Sequence, residues 1–182
     1  MRKLCLAPDE ECNFSLYGVD GDYGVIISTH HGLYEATLPS AATQDEILAD
    51  LHKRFARLCG ENDITRDVAE RLVRYFSEEV VAFDYPVDKR GFSDFQKMVY
   101  RAVHAIDYGL VRTYGEIARE IHRPLAARGV GAAMAHNPLP IIIPCHRVIG
   151  ASGAMTGYSA PGGIKRKELL LRMEAAVLQQ QA

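Results

Sequence analysis

Two patterns follow each other along this chain, and their order limits the folds it can adopt. Three β-rich runs, at 14–19, 25–29 and 33–38, lie near the start and are separated by short turns containing Gly or Asp. Helical patterns follow at 43–58 and 65–80 and recur through the rest of the sequence. We therefore expect an α/β (α+β) fold, in which a small antiparallel sheet with helices precedes a mostly helical region.

Capping boxes mark where three of the helices should begin. In this motif the side chain of a Ser or Thr accepts a hydrogen bond from the backbone N–H three residues later. The Glu or Gln at that later position accepts a hydrogen bond from the backbone N–H of the Ser or Thr. The spacing occurs at Thr43 with Glu46, Ser93 with Gln96, and Thr113 with Glu116. We expect Gly60 to end the helix that begins after Thr43, and Gly109 to end the helix that begins after Ser93.

Charge and periodicity both divide the chain near its middle. Residues 1–90 contain 10 basic and 17 acidic side chains, a net charge of −7, whereas residues 91–182 contain 11 and 6, a net charge of +5. The segment 84–91 has neither a helical nor a strand period, and we expect it to be a linker. The sequence thus predicts two domains, 1–90 and 91–182, and a polyanionic partner for the second. An uneven split of charge by chance is the alternative.

Two short helices across a tight turn are predicted in the second domain. The second of them covers about 125–136, and Asn137-Pro138 ends it. The pair has the form of a helix-turn-helix, which binds nucleic acid in some proteins and only packs in others. This second helix is rich in Gly and Ala, with Arg128 as its long polar side chain. Such a composition fits a backbone lying close against a narrow DNA groove, or a helix packed tightly inside the protein.

An apolar run places a cysteine beside a histidine and an arginine, in the order Pro144-Cys145-His146-Arg147. A thiol must ionise before it attacks carbon, and a nearby base or cation lowers its pKa. Neighbours in sequence often diverge in space, so a buried structural cysteine is the alternative. The cysteines, at 5, 12, 59 and 145, form no C-x-x-C pair, which argues against a disulfide scaffold and a closed four-cysteine metal site.

Composition places the chain among soluble globular proteins. Apolar residues make up 48% and charged residues 24%. No apolar run approaches the roughly 20 residues that cross a bilayer, and the N-terminus lacks the apolar stretch of a signal peptide. We expect a soluble cytoplasmic protein with no membrane partner.

Taken together, the motifs of the second half form a long ordered signature. It resembles that of the O6-alkylguanine-DNA alkyltransferases, the methylated-DNA–protein-cysteine methyltransferase family, over about residues 91–175. Over residues 1–90 the resemblance is limited to a strand-and-helix order. The motifs that carry it are Thr113-Tyr114-Gly115-Glu116-Ile117-Ala118, Ala127-Arg128, Met134, Asn137-Pro138, Ile143-Pro144-Cys145-His146-Arg147-Val148 and Gly157-Tyr158-Ser159.

The resemblance implies a fold, a partner and a single-turnover reaction. The N-terminal domain would be ribonuclease H-like and the C-terminal domain winged-helix-like. A monomer would bind double-stranded DNA containing O6-alkylguanine from the minor groove and rotate the damaged base out of the stack. Cys145 would then accept the alkyl group irreversibly, from O6-alkylguanine and from O4-alkylthymine, with no cofactor and no metal.

The resemblance also implies roles for particular residues. His146 matches a general base that acts on the thiol through a water, Glu174 matches the carboxylate that orients it, and Asn137 ties the helix-turn-helix to the active-site turn. Arg128 matches a finger that fills the gap left by the flipped base, and Tyr114 matches a residue that promotes the rotation. The remaining matches are the substrate-binding residues Met134, Pro140, Tyr158 and Ser159, and the DNA-contacting residues Ala126, Ala127 and Gly131.

This sequence departs from the family's usual pattern at several points, and two other functions stay open. Gly129 and Ala132 stand where the family usually has Ala and Gly, and the loop 159–163 is longer than usual. Some members bind zinc in the N-terminal domain, but Cys5, His30 and His31 do not complete a ligand set. The alternatives are a lesion-binding protein that transfers nothing, which the presence of Cys145 argues against, and a cysteine hydrolase that turns over repeatedly.

Overall fold

The chain divides into two units, Met1–Arg90 and Gly91–Ala182, in the computed structural model of the protein. The structure describes residues 6–7, 9–155 and 162–181.

Unit 1 is built on a four-stranded sheet. Its strands are β1 (Glu11–Val19), β2 (Asp22–Thr29), β3 (Gly32–Ala36) and β4 (Arg57–Cys59), in the order β3-β2-β1-β4. The β1–β2 and β2–β3 pairs are antiparallel, as expected, but β4 runs parallel to β1. Helices α1 (Gln44–Arg54) and α2 (Asp63–Phe76) complete the unit. The core of unit 1 includes Val25, Ile27, Leu51 and Phe55.

Two helix boundaries in unit 1 differ from the prediction. The pattern that was expected to extend α1 to Leu58 breaks at Phe55, whose extended backbone leads into β4, so Leu58 lies on a strand. Helix α2 was expected to continue to position 80 but ends at Phe76. Two residues later Glu78 has a positive φ of 64°, which no helix residue adopts.

The predicted linker forms specific contacts within unit 1. The N–H of Leu33 donates to the carbonyl of Pro86 at 2.8 Å, and the N–H of Asp88 donates to the carbonyl of Leu33 at 2.8 Å. The Asp88 carboxylate is fully buried and accepts hydrogen bonds from Arg90 and Thr29. The end of unit 1 is therefore fixed along strand β3.

Unit 2 is mostly helical. Its longer helices are α3 (Asp94–His104), α5 (Ala127–Ala135) and α6 (Gly163–Gln181), and a short helix α4 (Tyr114–Glu120) precedes α5. A two-stranded parallel sheet is formed by β5 (Arg112–Thr113) and β6 (Val148–Ile149). A 3-10 turn at Cys145–Arg147 lies directly before β6.

The three predicted capping boxes are all present, and they start α1, α3 and α4. Helix α3 ends at His104, however, and not at Gly109. Gly109 instead adopts a positive φ of 75° in the following loop, where a Cβ would lie 2.3 Å from Leu178. The positive φ favours glycine at this position, and a larger residue would also require the Leu178 side chain to move.

Helices α4 and α5 form the expected pair across a tight turn. Helix α4 ends at Glu120, His122 has a positive φ of 57°, and α5 begins at Ala127. The hydroxyl of Tyr100 on α3 donates to the Ala133 carbonyl at 3.0 Å, which holds α5 against α3. Among the described helices, none is both long and apolar enough to cross a membrane.

Candidate active site

The segment between α5 and Cys145 has a strained backbone that one side chain braces. Ile141 has a φ of 70°, a conformation that a β-branched residue rarely adopts. The side-chain amide of Asn137 donates to the Ile143 carbonyl at 2.7 Å, and its Oδ1 accepts from the Leu139 N–H at 3.0 Å. Asn137 thus supports the backbone that leads to Cys145.

Cys145 opens the 3-10 turn and is buried, with 6% of its surface exposed. Burial raises the pKa of the thiol, because a thiolate loses its hydration inside the protein. Three features oppose this effect of burial and lower the pKa of the thiol. They are a hydrogen bond from the Asn137 side chain, the positive charge of Lys167 and nearby backbone N–H groups. The resting group is therefore a thiol whose ionisation these polar groups make easier.

His146 and Glu174 form a buried pair. The distance between His146 Nε2 and Glu174 Oε1 is 2.8 Å, and both side chains are inaccessible to solvent. Burial lowers the pKa of His146, against the attraction of Glu174, so the imidazole is neutral at pH 7. Glu174 is ionised and can only accept, so Nε2 carries the hydrogen. Nδ1 is then the basic nitrogen that can take a proton.

Besides His146, Glu174 accepts hydrogen bonds from Arg147 and Gly109. Arg147 donates to both carboxylate oxygens, with Nε at 3.0 Å from Oε2 and Nη2 at 2.9 Å from Oε1. The backbone N–H of Gly109 donates to Oε2 at 3.0 Å. Burial opposes ionisation of Glu174, but the hydrogen bonds from His146 and Arg147 lower its pKa to about 2. The carboxylate is therefore a fixed anion that orients His146.

Arg147 is itself anchored on its other side. Its Nη1 donates to the Ile106 carbonyl at 2.7 Å, and its guanidinium lies over the ring of Tyr108, 5.4 Å from the centroid. The chain of contacts from Tyr108 through Arg147 and Glu174 to His146 leaves the imidazole little freedom to rotate. The described geometry suits a base that is already oriented for proton transfer from a thiol.

The residues predicted to contact DNA cluster around the start of α5. Arg128 is exposed, whereas Ala126, Ala127 and Gly131 are half-buried. A Cβ at Gly131 would lie 3.8 Å from the ring of Tyr114, so α5 passes close to this ring. Tyr114 is the first residue of α4. The fold thus groups the predicted DNA-contacting residues of α4 and α5.

The predicted substrate-binding residues are only partly covered by the structure. Met134 is buried on α5 with 4% of its surface exposed, and Pro140 is half-buried in the segment before Cys145. Tyr158 and Ser159 lie outside the described residues, so their expected role in a guanine pocket stays a prediction.

A cluster in unit 1 bears on the expectation that no metal is bound. The ligand atoms of Glu10, His30 and His31 all lie within 4.8 Å of one another. The Glu10 carboxylate already binds Arg90, with Oε2 at 3.0 Å from Nη1, and this contact competes with a metal ion for the same oxygens. Cys5 lies outside the described residues. The absence of a metal and of any cofactor stays a prediction.

Sequence reasoning missed the roles of Gly109, Arg147 and Lys167 at this site. The sequence carries no signal for the third, because only the structure shows which face of α6 is buried. Positions 167, 170, 174 and 177 recur at helical spacing and are all buried, so they form one face. Two of the four are charged, Lys167 and Glu174, and charged residues are rarely fully buried unless they have a function or a partner.

The fold and the site define an α+β protein with a helix-turn-helix beside a buried Cys–His–Glu arrangement. Residues 94–176 match the DNA-binding domain of the 6-O-methylguanine DNA methyltransferase family.

Two curated relatives agree with this match. A methylated-DNA–protein-cysteine methyltransferase from Mycolicibacterium paratuberculosis is 54% identical over 105 residues, which cover 58% of this chain and 62% of the relative's own length. The protein of that name from Salmonella typhimurium is 41% identical over 127 residues, covering 70% of this chain and 72% of the relative.

A solved structure extends the similarity to both units. The crystal structure of Mycobacterium tuberculosis OGT in complex with DNA superimposes with a TM-score of 0.72 at 36% identity, covering 91% of this chain and 94% of that one. The chain therefore belongs to the methylated-DNA–protein-cysteine methyltransferase family.

Proposed function

We propose that this protein repairs double-stranded DNA by moving the alkyl group of O6-alkylguanine onto Cys145. The observation that carries the proposal is the buried Cys145 in a 3-10 turn whose next residue, His146, is held by an ionised Glu174. A solved relative bound to DNA and curated relatives named as methyltransferases of methylated DNA support the substrate class.

In this reaction the Cys145 thiol gives its proton to His146 Nδ1 through a water. The sulfur then attacks the alkyl carbon, so a carbon–sulfur bond forms as the carbon–O6 bond breaks. The electron pair of the broken bond stays on the guanine, which takes up a proton and becomes the normal base. The product thioether has no good leaving group, so each protein molecule reacts once.

The α4–α5 pair supplies the DNA contacts in this proposal. The small residues of α5 let its backbone approach the minor groove, and Arg128 is exposed to fill the space of an extruded base. Extrusion is required, because a buried sulfur cannot reach O6 within a base pair, and it costs a few kcal/mol for a damaged base. Tyr114, beside Gly131, promotes the rotation.

Several finer features belong to the same proposal. The protein acts as a monomer in the cytoplasm, at the DNA, and it accepts O4-alkylthymine as a second substrate. Unit 1 follows a ribonuclease H-like topology and unit 2 a winged-helix-like one.

The deciding experiment uses duplex DNA that carries O6-methylguanine with a labelled methyl group. We expect one label per protein molecule, located at Cys145 by peptide mass spectrometry. Cys145→Ala should bind the duplex and take up no label, and Cys59→Ala serves as a matched control that keeps full transfer. A folded protein with an intact thiol that acquires no label would falsify the proposal.

The same assay separates the two other functions. A lesion-binding protein would bind the modified duplex without any transfer. A cysteine hydrolase would release product repeatedly from a small ester, beyond one equivalent per protein.

A further inference from the structure

One apolar side chain of the helix pair is almost completely exposed to solvent. Leu125 lies in the turn between α4 and α5, and 99% of its surface is accessible. The other exposed large apolar side chains among the described residues have accessible fractions between 37% and 60%. Leu125 therefore contributes almost nothing to the packing of unit 2, and its apolar surface is available to a partner.

The backbone of this turn is fixed on both sides of Leu125. The Arg123 N–H donates to the Ala118 carbonyl at 2.8 Å, and the Ala126 N–H donates to the Arg123 carbonyl at 2.8 Å. The ring of Pro124 restricts the backbone further. The leucine is thus presented from a rigid support, so little conformational freedom of the backbone is lost when a partner covers the side chain.

Leu125 lies at the start of the exposed face of α5. Arg128, Ala132 and Ala135 are exposed on this helix, whereas Val130 is fully buried. Helical spacing counted back from Arg128 leads to position 125, two residues before the helix begins. The exposed face thus begins with a long apolar side chain, continues with Arg128 and ends in small alanines.

The charge of this region fits a polyanion. From 121 to 136 the sequence contains no acidic residue, and Arg123 and Arg128 flank Leu125 along the chain. Both arginines are exposed. An apolar protein partner would have to bury these cations, which is costly without counter-charges. The minor groove of DNA accepts both kinds of side chain, because its phosphates bind cations and its interior receives apolar residues.

We propose that Leu125 is an apolar DNA contact that enters the minor groove beside Arg128 and is covered there when the duplex binds. The inference rests on the proposed function for the identity of the partner. It adds a contact that is stabilised by the exclusion of water and not by phosphate charge. Such a contact releases no counterions, so it increases the affinity for DNA without increasing the salt dependence of binding.

The test is a binding titration of an undamaged DNA duplex at several salt concentrations. Leu125→Ala should weaken binding about tenfold, because it removes most of the apolar surface that the groove covers. The slope of log affinity against log salt should equal that of the unmodified protein. Leu125→Met keeps an apolar side chain of similar size and should retain most of the affinity. Leu169→Ala removes an exposed leucine of α6 and is the matched control, which should change neither quantity.

Calorimetry of the same titration provides a second readout. Covering apolar surface makes the heat capacity change of binding more negative. Leu125→Ala should therefore give a less negative value than the unmodified protein, whereas Leu169→Ala should give the same value. The unfolding temperature of Leu125→Ala should stay unchanged, because the side chain is almost entirely exposed in the free protein.

An unchanged affinity of Leu125→Ala for the duplex overturns the inference, and so does a loss of affinity that comes with a changed salt slope. If a second copy of the chain covers Leu125 instead, the unmodified protein will self-associate without DNA and Leu125→Ala will not. Both will then bind the duplex equally, which also overturns the inference.

Transfer of a labelled methyl group at saturating duplex separates this inference from the proposed function. One methyl group transferred by each of the two proteins leaves the proposed function standing, whatever the effect of Leu125→Ala on affinity. Failure of transfer by the unmodified protein overturns the proposed function, whereas the binding titration still decides whether Leu125 contacts the duplex.

Discussion

At the scale of single residues, the Glu174 carboxylate is the centre of the buried polar network. It accepts hydrogen bonds from His146 and Arg147, which are neighbours in the 3-10 turn, and from the N–H of Gly109 in the loop after α3. A single acid therefore performs two tasks, since it orients the base and neutralises a buried guanidinium. Changing it should affect stability and reactivity together.

We expect Glu174→Gln to destabilise the protein by about 3 kcal/mol, because Arg147 would remain buried without its counter-charge. We also expect alkyl transfer to slow by about a hundredfold or more, as is typical when a general base loses its function. Chemical denaturation and single-turnover transfer measure the two effects. Glu168→Gln, on the same helix, is the control and should change neither. A variant with unchanged stability would mean that Glu174 does not balance the charge of Arg147.

At the scale of secondary-structure elements, the features that local sequence determines were predictable. The capping boxes of α1, α3 and α4 depend on residues three positions apart, and all three are present. The strand β4 was not predictable, because three residues pair with β1 only through the tertiary fold.

The residues of the candidate active site likewise fall into those that the sequence predicted and those that depend on the tertiary fold. The Cys145-His146 pair and Glu174 could be assigned from motifs. Lys167 and Gly109 act through partners distant in sequence, namely Val148 and the Glu174 carboxylate. Contacts of this kind depend on how elements pack, which neither propensity nor spacing specifies.

A substitution in helix α5 can test whether its glycines are needed for stability of the fold or for close approach to DNA. An alanine Cβ at Gly131 would lie 3.8 Å from the Tyr114 ring, an ordinary contact, so the fold can accept it. Gly131→Ala should therefore stabilise the protein by up to about 1 kcal/mol, the difference in helix propensity. It should also weaken duplex binding, because the methyl group separates the helix backbone from the groove.

The measurements for Gly131→Ala are thermal unfolding and a duplex-binding titration. Gly60→Ala is a control away from the helix pair, since a Cβ at Gly60 meets no atom within 4 Å. Unchanged duplex binding by a stabilised Gly131→Ala would show that the α5 backbone does not approach the groove at this position.

At the scale of the whole molecule, each unit has a buried carboxylate whose protonation should unfold it in acid. In unit 1, burial opposes ionisation of Asp88, but hydrogen bonds from Arg90 and Thr29 lower its pKa to about 2. Glu174 has a pKa of about 2 in unit 2. Both values lie below the ordinary values near 4, so each group adds stability above about pH 4.

That stability should be lost as the pH falls from about 4 towards 2, where both carboxylates take up protons. Urea denaturation across this range should show a steep loss of the free energy of unfolding. Asp88→Asn should reduce the slope, because it removes one of the two groups. A slope equal to that of the unmodified protein would mean that Asp88 does not contribute to acid unfolding.

The two units also differ in charge, which predicts how the protein should bind DNA as salt is raised. Unit 2 carries a net charge of +5 and unit 1 carries −7, so cations of unit 2 should make the phosphate contacts. Each contact contributes about −0.9 to the slope of log affinity against log salt. Arg123 is exposed in the turn before α5, and we expect it to make one of these contacts. Arg123→Gln should therefore make the slope shallower by about 0.9, whereas Lys53→Gln, at an exposed position of unit 1, should leave it unchanged. Equal effects of the two substitutions would mean that net charge, and not a contact surface on unit 2, attracts the DNA.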